Sequence, residues 1–151
     1  MQEALKLLHN SQILPVAIGK MPESAQSEEI KFLGFIADSH VLADAYNAAD
    51  VFVIPSLEDN LPNTVLEAHA CGKPVIGFKK AGVAGMVPPF AGLLVEDVRA
   101  DFLAHTISYF FRKQSAFNQA EIRAWAVRQY SPKVQATLYL EQYAEAIHKN
   151  E

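Results

Sequence analysis

The chain has 151 residues, 50% of them hydrophobic and 20% charged, and its 13 Lys and Arg against 17 Asp and Glu give a formal net charge of −4. This length and composition predict one folded domain with a buried core and exclude a disordered or collagen-like chain. No segment concentrates basic residues, so nucleic acid is not an expected partner. The single Cys71 excludes an intrachain disulfide and suits the cytoplasm, which is the predicted location.

Short apolar runs alternate with helical patterns along the first part of the chain. A helix is predicted at residues 4–8, and strands are predicted at residues 14–18 and 30–36. The next helix is expected to begin at a cap, Asp38 or Ser39, and to run to Ala49. A strand at residues 51–54 follows after a tight turn.

The same alternation continues towards the C-terminus. A helix at residues 62–71 is stopped by Gly72, a strand is predicted at residues 75–78, and residues 79–85 form a loop of small residues. A last strand at residues 92–95 precedes a helix that Asp97 is expected to cap. Helices are then predicted around residues 102–110, 122–126 and 132–147.

Strands that are apolar on both faces and alternate with helices predict an α/β fold. We expect a single domain over residues 1–151, a doubly wound, mainly parallel sheet with helices on both faces. The first helix looks like one whose preceding strand is missing, so the first strand of the sheet is expected to be absent. Ligands of such sheets bind beyond the carboxyl ends of the strands, which directs attention to the loops after residues 18, 36, 54 and 78.

The loop after residue 54 and the helix that follows it carry the residues best suited to bind a ligand. Asp59 lies in this loop and Glu67 in the following helix, whose first N–H groups are donors for an anion. A nucleotide sugar would use the carboxylates and the N–H groups together, because carboxylates accept hydrogen bonds from sugar hydroxyls and the N–H groups bind the anionic phosphates. Structural roles remain open for both carboxylates in place of ligand binding. The segment from Thr64 to Glu67 matches a capping box, and Asp is common in turns, so Asp59 could serve only the turn.

The segment ADVFVIPSLEDNLPNTVLEAHACGKPVIGF, residues 49–78, closely resembles the C-terminal, donor-binding half of the GT-B glycosyltransferases, in particular the group 1, family-4 retaining set. In that family a Glu, seven residues and a second Glu form the donor-site signature, and Asp59 and Glu67 stand at these positions. The resemblance implies a Rossmann-like fold. It further implies that the first carboxylate contacts hydroxyls of the transferred sugar and that Glu67 binds the ribose hydroxyls. Asp59 is one methylene shorter than the family's Glu, which withdraws its carboxylate by about 1.5 Å.

The resemblance also implies main-chain contacts with the donor. The backbone amides of Asn60 and Leu61 would face the sugar, and the strand carrying Gly34 and Phe35 would present main-chain groups to the base. The diphosphate would meet the amides of three residues at the start of the helix, Asn63, Thr64 and Val65.

The function implied by this resemblance is glycosyl transfer from a nucleotide-diphosphate sugar to a saccharide or lipid-linked acceptor, at the inner membrane face if the acceptor is a lipid. No cofactor is implied. The family's Arg and Lys after the first strand, and its N-terminal acceptor domain, have no counterpart here, so we expect the chain alone to be inactive. The alternative is a non-catalytic interaction module, or one chain of a split glycosyltransferase, that associates with a partner or with itself.

The histidines and the cysteine do not form a recognisable catalytic or metal-binding cluster in the sequence. The five histidines are scattered, and no two have metal-ligand spacing on one helix face, so no metal site is predicted. His69 is expected to be a packed or half-exposed helix residue, and Cys71 is expected to pack as a small apolar residue at the helix end.

Overall fold

The computed structural model describes residues 1–8, 12–20 and 27–148. The helices are α1 (Gln2–Leu7), α2 (Ser39–Ala48), α3 (Asn63–Ala70), α4 (Ala81–Met86), α5 (Ala100–Lys113), α6 (Gln119–Tyr130) and α7 (Pro132–His148). A 3-10 turn at Gln114–Ala116 follows α5. The strands are β1 (Val16–Ala17), β2 (Lys31–Phe32), β3 (Phe52–Ile54), β4 (Val75–Phe78) and β5 (Gly92–Val95).

All the strand pairs in the described residues are parallel. β3, β4 and β5 form one sheet in that order, with Phe52 opposite Val75 and Val75 opposite Gly92. β1 and β2 pair with each other, with Val16 opposite Lys31. Each parallel neighbour in the larger sheet is reached through a helix, α3 between β3 and β4 and α4 between β4 and β5, because parallel strands need a crossover.

The alternation of side chains along β4 explains why helices cover both faces of the sheet. Ile76 and Phe78 point to one side, where they pack in a core formed with α1 and α5. Val75 points to the other side, into a second core that includes Val65 of α3 and Val83 of α4. All four residues of β4 are buried. The predicted α/β fold, a parallel sheet between two helical layers, is therefore confirmed.

The capping residue expected for α2 is also confirmed. Asp38 accepts hydrogen bonds at Oδ1 from the N–H groups of His40, at 2.7 Å, and Val41, at 3.3 Å. These bonds satisfy two of the N–H groups that the first turn of a helix leaves unpaired, and they fix where α2 begins.

Helix α6 packs against the C-terminal end of α3. Gly72, at a φ of 74°, ends α3, and a Cβ added to it would lie 2.6 Å from the carbonyl oxygen of Gln119. Arg123 donates from Nη1 to the carbonyl of Ala70 at 2.6 Å, and the buried Lys73 donates from Nζ to Oε1 of Gln119 at 3.3 Å. The carbonyl end of α3 is thus paired by a later helix.

Three expectations about local structure are wrong. The first two strands are much shorter than predicted, and β2 stops before Gly34, whose φ of 76° is incompatible with an extended strand. Residues 79–85 are not only a loop, since α4 begins within them. Asp97 does not cap α5, which begins after Arg99 without a side-chain cap, although the Asp97 carbonyl accepts from the Arg99 N–H.

Several apolar side chains of the predicted C-terminal helices are exposed. On α5, Phe110 is buried, but Phe102 and Tyr109 are about two-fifths exposed, and Phe102 lies under the Arg99 guanidinium at 4.8 Å. An apolar stripe of α7 is also solvent-exposed, and the main packing of α7 is on α6. The stripe is formed by Leu140, Tyr143 and Ile147. None of the helices in the described ranges is long and apolar enough to span a membrane.

Candidate functional site

The loop that carries Asp59 lies at the carboxyl end of β3. It runs from the end of the strand at Ile54 to Pro62, which precedes the first residue of α3. Asp59 is half-buried and Asn60 is exposed, while the side chain of Leu61 is 59% exposed. Within the part of the chain that is described, the Asp59 carboxylate makes no hydrogen bond or ion pair, so the bonds that a turn-forming Asp would make are not seen.

The loop after β4 supports the Asp59 loop. The N–H of Gly82, in the first turn of α4, donates to the carbonyl of Asp59 at 3.0 Å. A Cβ added to Gly82 would overlap the carbonyl oxygen of Asn60 and would lie 3.0 Å from that of Asp59. The two loops therefore meet at the same edge of the sheet, and their contact requires a glycine.

The first turn of α3 has free donors. Pro62 is its N-cap and makes no side-chain capping bond. Val65 has a buried side chain and donates its N–H to the carbonyl of Pro62 at 3.0 Å. The N–H groups of Asn63 and Thr64 have no acceptor among the described residues, and both residues are exposed. Free amides and the positive end of the helix dipole favour an anion here.

Glu67 lies one turn into α3, and its carboxylate faces α2. Oε2 accepts a hydrogen bond of 3.0 Å from the Tyr46 hydroxyl, which also lies 3.4 Å from the Thr64 carbonyl oxygen. The capping box considered for Thr64 and Glu67 does not form, because α3 begins after Pro62 and Thr64 is already inside the helix. Glu67 is exposed, so its carboxylate is available to a ligand.

Gly34 and Phe35 lie just after β2, next to the loop after β1. Gly34 accepts at its carbonyl from the Gly19 N–H at 2.9 Å, and the Phe35 ring, 68% exposed, lies 5.8 Å from Nζ of Lys20. No hydrogen bond or ring contact joins these residues to the Asp59 loop or to Glu67 in the described ranges. Residues 21–26, which follow Lys20 in the chain, lie outside the described residues.

The lysines near this edge of the sheet differ in their partners. Lys79, just after β4, pairs with Glu96, just after β5, at 2.7 Å, and both side chains are exposed. An exposed pair of this kind contributes little stability. The neighbouring Lys80 is exposed and forms no ion pair with a described residue.

His69 is packed within α3, and Cys71 lies half-buried at the C-cap of this helix. His69 is fully buried, donates from Nε2 to the Ala91 carbonyl at 3.2 Å and packs edge-on against Trp125. Burial lowers the pKa of His69 to about 4 and raises the pKa of the half-buried Cys71 thiol. Neither residue is activated for chemistry. No group of three or more His, Cys, Asp or Glu side chains in the described ranges is placed to hold a metal ion.

A surface cavity of about 600 Å³ lies apart from the Asp59 loop and Glu67. It is lined by Glu3, Lys6 and Leu7 of α1 and by residues 98–101 at the start of α5. It contains none of the predicted site residues.

A family model described as "Glycosyl transferases group 1" matches residues 2–112, about three-quarters of the chain. The chain belongs to this family. The family match includes the Asp59 loop and all of α3, and it confirms the resemblance seen in residues 49–78.

Curated relatives of this chain are named as glycosyltransferases. The chain is 29% identical over 127 residues to the N,N'-diacetylbacillosaminyl-diphospho-undecaprenol alpha-1,3-N-acetylgalactosaminyltransferase of Campylobacter jejuni, covering 83% of this chain and 33% of the relative. It is 26% identical over 112 residues to the GDP-mannose-dependent alpha-(1-6)-phosphatidylinositol dimannoside mannosyltransferase of Mycobacterium tuberculosis, covering 70% and 29%. The chain thus spans about a third of the length of these relatives.

Solved structures of glycosyltransferases share the fold. A glycosyltransferase from Rickettsia africae matches with a TM-score of 0.79 at 22% identity, covering 96% of this chain and 43% of that one. Anabaena HepE in complex with UDP-glucose matches with a TM-score of 0.73 at 21% identity, covering 99% and 45%. The group 1 chain therefore has the fold of one half of a GT-B glycosyltransferase, which confirms the Rossmann-like fold class.

Two residues of this site were missed by sequence reasoning. Tyr46 lies in the helix predicted to run to Ala49, and the need of a half-buried Tyr for a partner to its hydroxyl is a usable signal. Gly82 was included only in a loop of small residues, and its contact with the Asp59 loop depends on two strands being neighbours.

Proposed function

We propose that this group 1 glycosyltransferase chain binds the nucleotide-diphosphate sugar that serves as donor for glycosyl transfer. The observation that carries the proposal is the placement of the Glu67 carboxylate in the helix whose first turn offers the unpaired N–H groups of Asn63 and Thr64. A nucleotide sugar combines hydroxyl donors with an anionic diphosphate, and these two features would occupy the carboxylate and the N–H groups together.

Each predicted site residue has a role in this proposal. Glu67 would bind the ribose hydroxyls, and the amides at the start of α3 would bind the diphosphate. Asp59 and the backbone of Asn60 and Leu61 would contact the transferred sugar. Gly34 and Phe35 would present main-chain groups to the base. The Val65 N–H contributes least because it already donates to Pro62.

The names of related proteins support a donor of this class. HepE of Anabaena has been solved with UDP-glucose, and the mycobacterial relative is named as GDP-mannose-dependent. The Campylobacter relative is named for a diphospho-undecaprenol acceptor, which supports a saccharide or lipid-linked acceptor for this chain as well. Because the chain spans about a third of such relatives, we propose that transfer requires residues beyond these 151, and that this chain binds donor without turning it over. A cytoplasmic location stays a prediction.

Replacing Glu67 by Ala tests the donor site directly. A panel of UDP-, GDP- and ADP-sugars is titrated against the chain by calorimetry. We expect the sugar nucleotide that binds wild type to lose about 10- to 100-fold in affinity, because hydrogen bonds to a charged group contribute about 1.5–3 kcal/mol. Glu141→Ala, which removes an exposed carboxylate on α7, is the matched control and should bind as wild type does.

Two outcomes of this titration would contradict the donor-binding proposal. One is that no member of the panel binds the wild-type chain. The other is that Glu67→Ala binds the same sugar nucleotide as tightly as the Glu141→Ala control.

A second candidate function, association with a partner chain or with itself, is favoured by the exposed apolar surface. Val16 of β1 is 49% exposed although strands of parallel sheets are normally covered on both faces, and Leu140 of α7 is 67% exposed. If either of these exposed positions belongs to an interface, light scattering after size exclusion will show a mass above 16.7 kDa that falls on dilution. A strictly monomeric chain at micromolar concentration would argue against self-association.

A further inference from the structure

The Glu67 carboxylate is held on one side by a phenol. The Tyr46 hydroxyl, on α2, donates to Oε2 of Glu67 at 3.0 Å, while Oε1 has no partner among the described residues. We propose that Tyr46 is a positioning residue that orients the Glu67 carboxylate for the ribose hydroxyls of the donor. This role rests on the proposed donor-binding function and extends it to a residue outside the Asp59–Glu67 segment.

The Tyr46 ring is itself fixed by packing. It lies edge-on to Phe52 of β3, with 5.7 Å between ring centroids and an interplanar angle of 71°, and it borders the core beneath α3. Helix α2 packs against α3, and its first turn is fixed by the Asp38 cap. The hydroxyl is therefore presented at a defined point beside α3.

The direction of the Tyr46 hydrogen bond follows from the two available acceptors. The hydroxyl has a single proton, and the Glu67 oxygen is both closer and charged, whereas the Thr64 carbonyl oxygen is 3.4 Å away. Burial and the nearby Glu67 charge raise the pKa of the Tyr46 hydroxyl above its usual value. The phenol thus keeps its proton and remains a donor under all ordinary conditions.

Binding a ligand costs less conformational entropy when the carboxylate is already ordered than when it is free to rotate. An exposed Glu side chain samples many rotamers, and ordering it for a ligand costs conformational entropy. The hydrogen bond from Tyr46 orders Glu67 before the ligand arrives. It also occupies one carboxylate oxygen and leaves the other for the ribose.

The alternative is that Tyr46 only ties α2 to α3. A tie of that kind would affect the stability of the fold, but it would not distinguish between ligands that do and do not present ribose hydroxyls. The dependence of affinity on those hydroxyls is therefore the readout that separates the two roles.

The experiment compares UDP, GDP and ADP with their 2',3'-dideoxy counterparts, titrated by calorimetry against wild type and Tyr46→Phe. Phe keeps the ring that packs on Phe52 and removes only the hydroxyl. We expect Tyr46→Phe to weaken binding of the ribonucleotide about tenfold and to leave binding of its dideoxy counterpart unchanged. Tyr139→Phe, on the exposed surface of α7, is the control. In a Glu67→Ala background, adding Tyr46→Phe should have no further effect on ribonucleotide affinity.

The outcomes distinguish this inference from the proposed function. If wild type binds none of the nucleotides, the proposed function fails and the positioning role fails with it. If wild type prefers the ribonucleotide and Glu67→Ala abolishes the preference, but Tyr46→Phe keeps it, donor binding stands and the positioning role is overturned. A lower melting temperature for Tyr46→Phe with unchanged ribonucleotide affinity would likewise leave Tyr46 a structural tie only.

Discussion

Gly82→Ala is expected to destabilise the fold by about 2–3 kcal/mol, because the added methyl group would overlap backbone that cannot move aside alone. The Cβ would meet the Asn60 carbonyl and crowd that of Asp59, and the hydrogen bond from the Gly82 N–H to Asp59 would be strained or lost. For a chain of this size the melting temperature should fall by about 6–10 °C. Nucleotide-sugar affinity should fall as well, since the displaced loop carries Asp59.

Gly85→Ala is the matched control for this substitution. Gly85 lies in the same short helix, is exposed, and has nothing within 4 Å of an added Cβ. Alanine is a better helix former than glycine, so this variant should be as stable as wild type or slightly more stable. Thermal unfolding followed by circular dichroism measures both variants. Equal melting temperatures for Gly82→Ala and Gly85→Ala would contradict the close contact between Gly82 and the Asp59 loop.

Acid is expected to destabilise the fold through His69 before carboxylates titrate in large number. Nε2 of the buried ring donates to the Ala91 carbonyl, so Nδ1 is the atom that must take up the proton, and it has no partner among the described residues. Burial lowers the pKa of His69 from 6.5 to about 4. The unfolded state therefore binds the proton more readily, and stability that is fully present above pH 6.5 falls as the pH decreases towards 4. The total loss is about 3 kcal/mol.

Urea unfolding at a series of pH values from 7.5 to about 4.5 measures this effect of His69. A His69→Met variant fills a similar volume without a titratable group, and its stability should decline less over the same pH interval. The difference between the two curves isolates His69 from the carboxylates and from the exposed His40 and His105. Parallel curves for wild type and His69→Met would contradict the assignment.

The fold class could be predicted from the sequence because its signals are local. The runs at residues 51–54, 75–78 and 92–95 are apolar on both faces, and the structure places all three in one parallel sheet. The ends of elements were harder, since they depend on single backbone conformations. Gly34 ends β2 through its positive φ, and α4 begins among small residues that carry no capping signal.

The candidate site could be predicted only where its residues are close in sequence. Asp59 and Glu67 stand on either side of one helix start, and the spacing was visible in the sequence. Tyr46 lies 21 residues before Glu67, and Gly82 lies 23 residues after Asp59. Their contacts arise from the packing of α2 on α3 and from the pairing of β3 with β4, which sequence patterns alone do not specify.

The pairing of α6 with the end of α3 has a consequence for the order in which the chain can fold. Helix α3 has eight residues, well below the length of about 12–15 at which an isolated helix becomes stable. Its terminal carbonyl is satisfied by Arg123, 53 residues later. During synthesis on the ribosome, Asp59 and Glu67 would therefore emerge long before Arg123, which pairs with the end of the helix that carries Glu67. The contacts between α3 and α6 can form only after α6 has emerged, and α6 lies beyond the stretch that the family model matches.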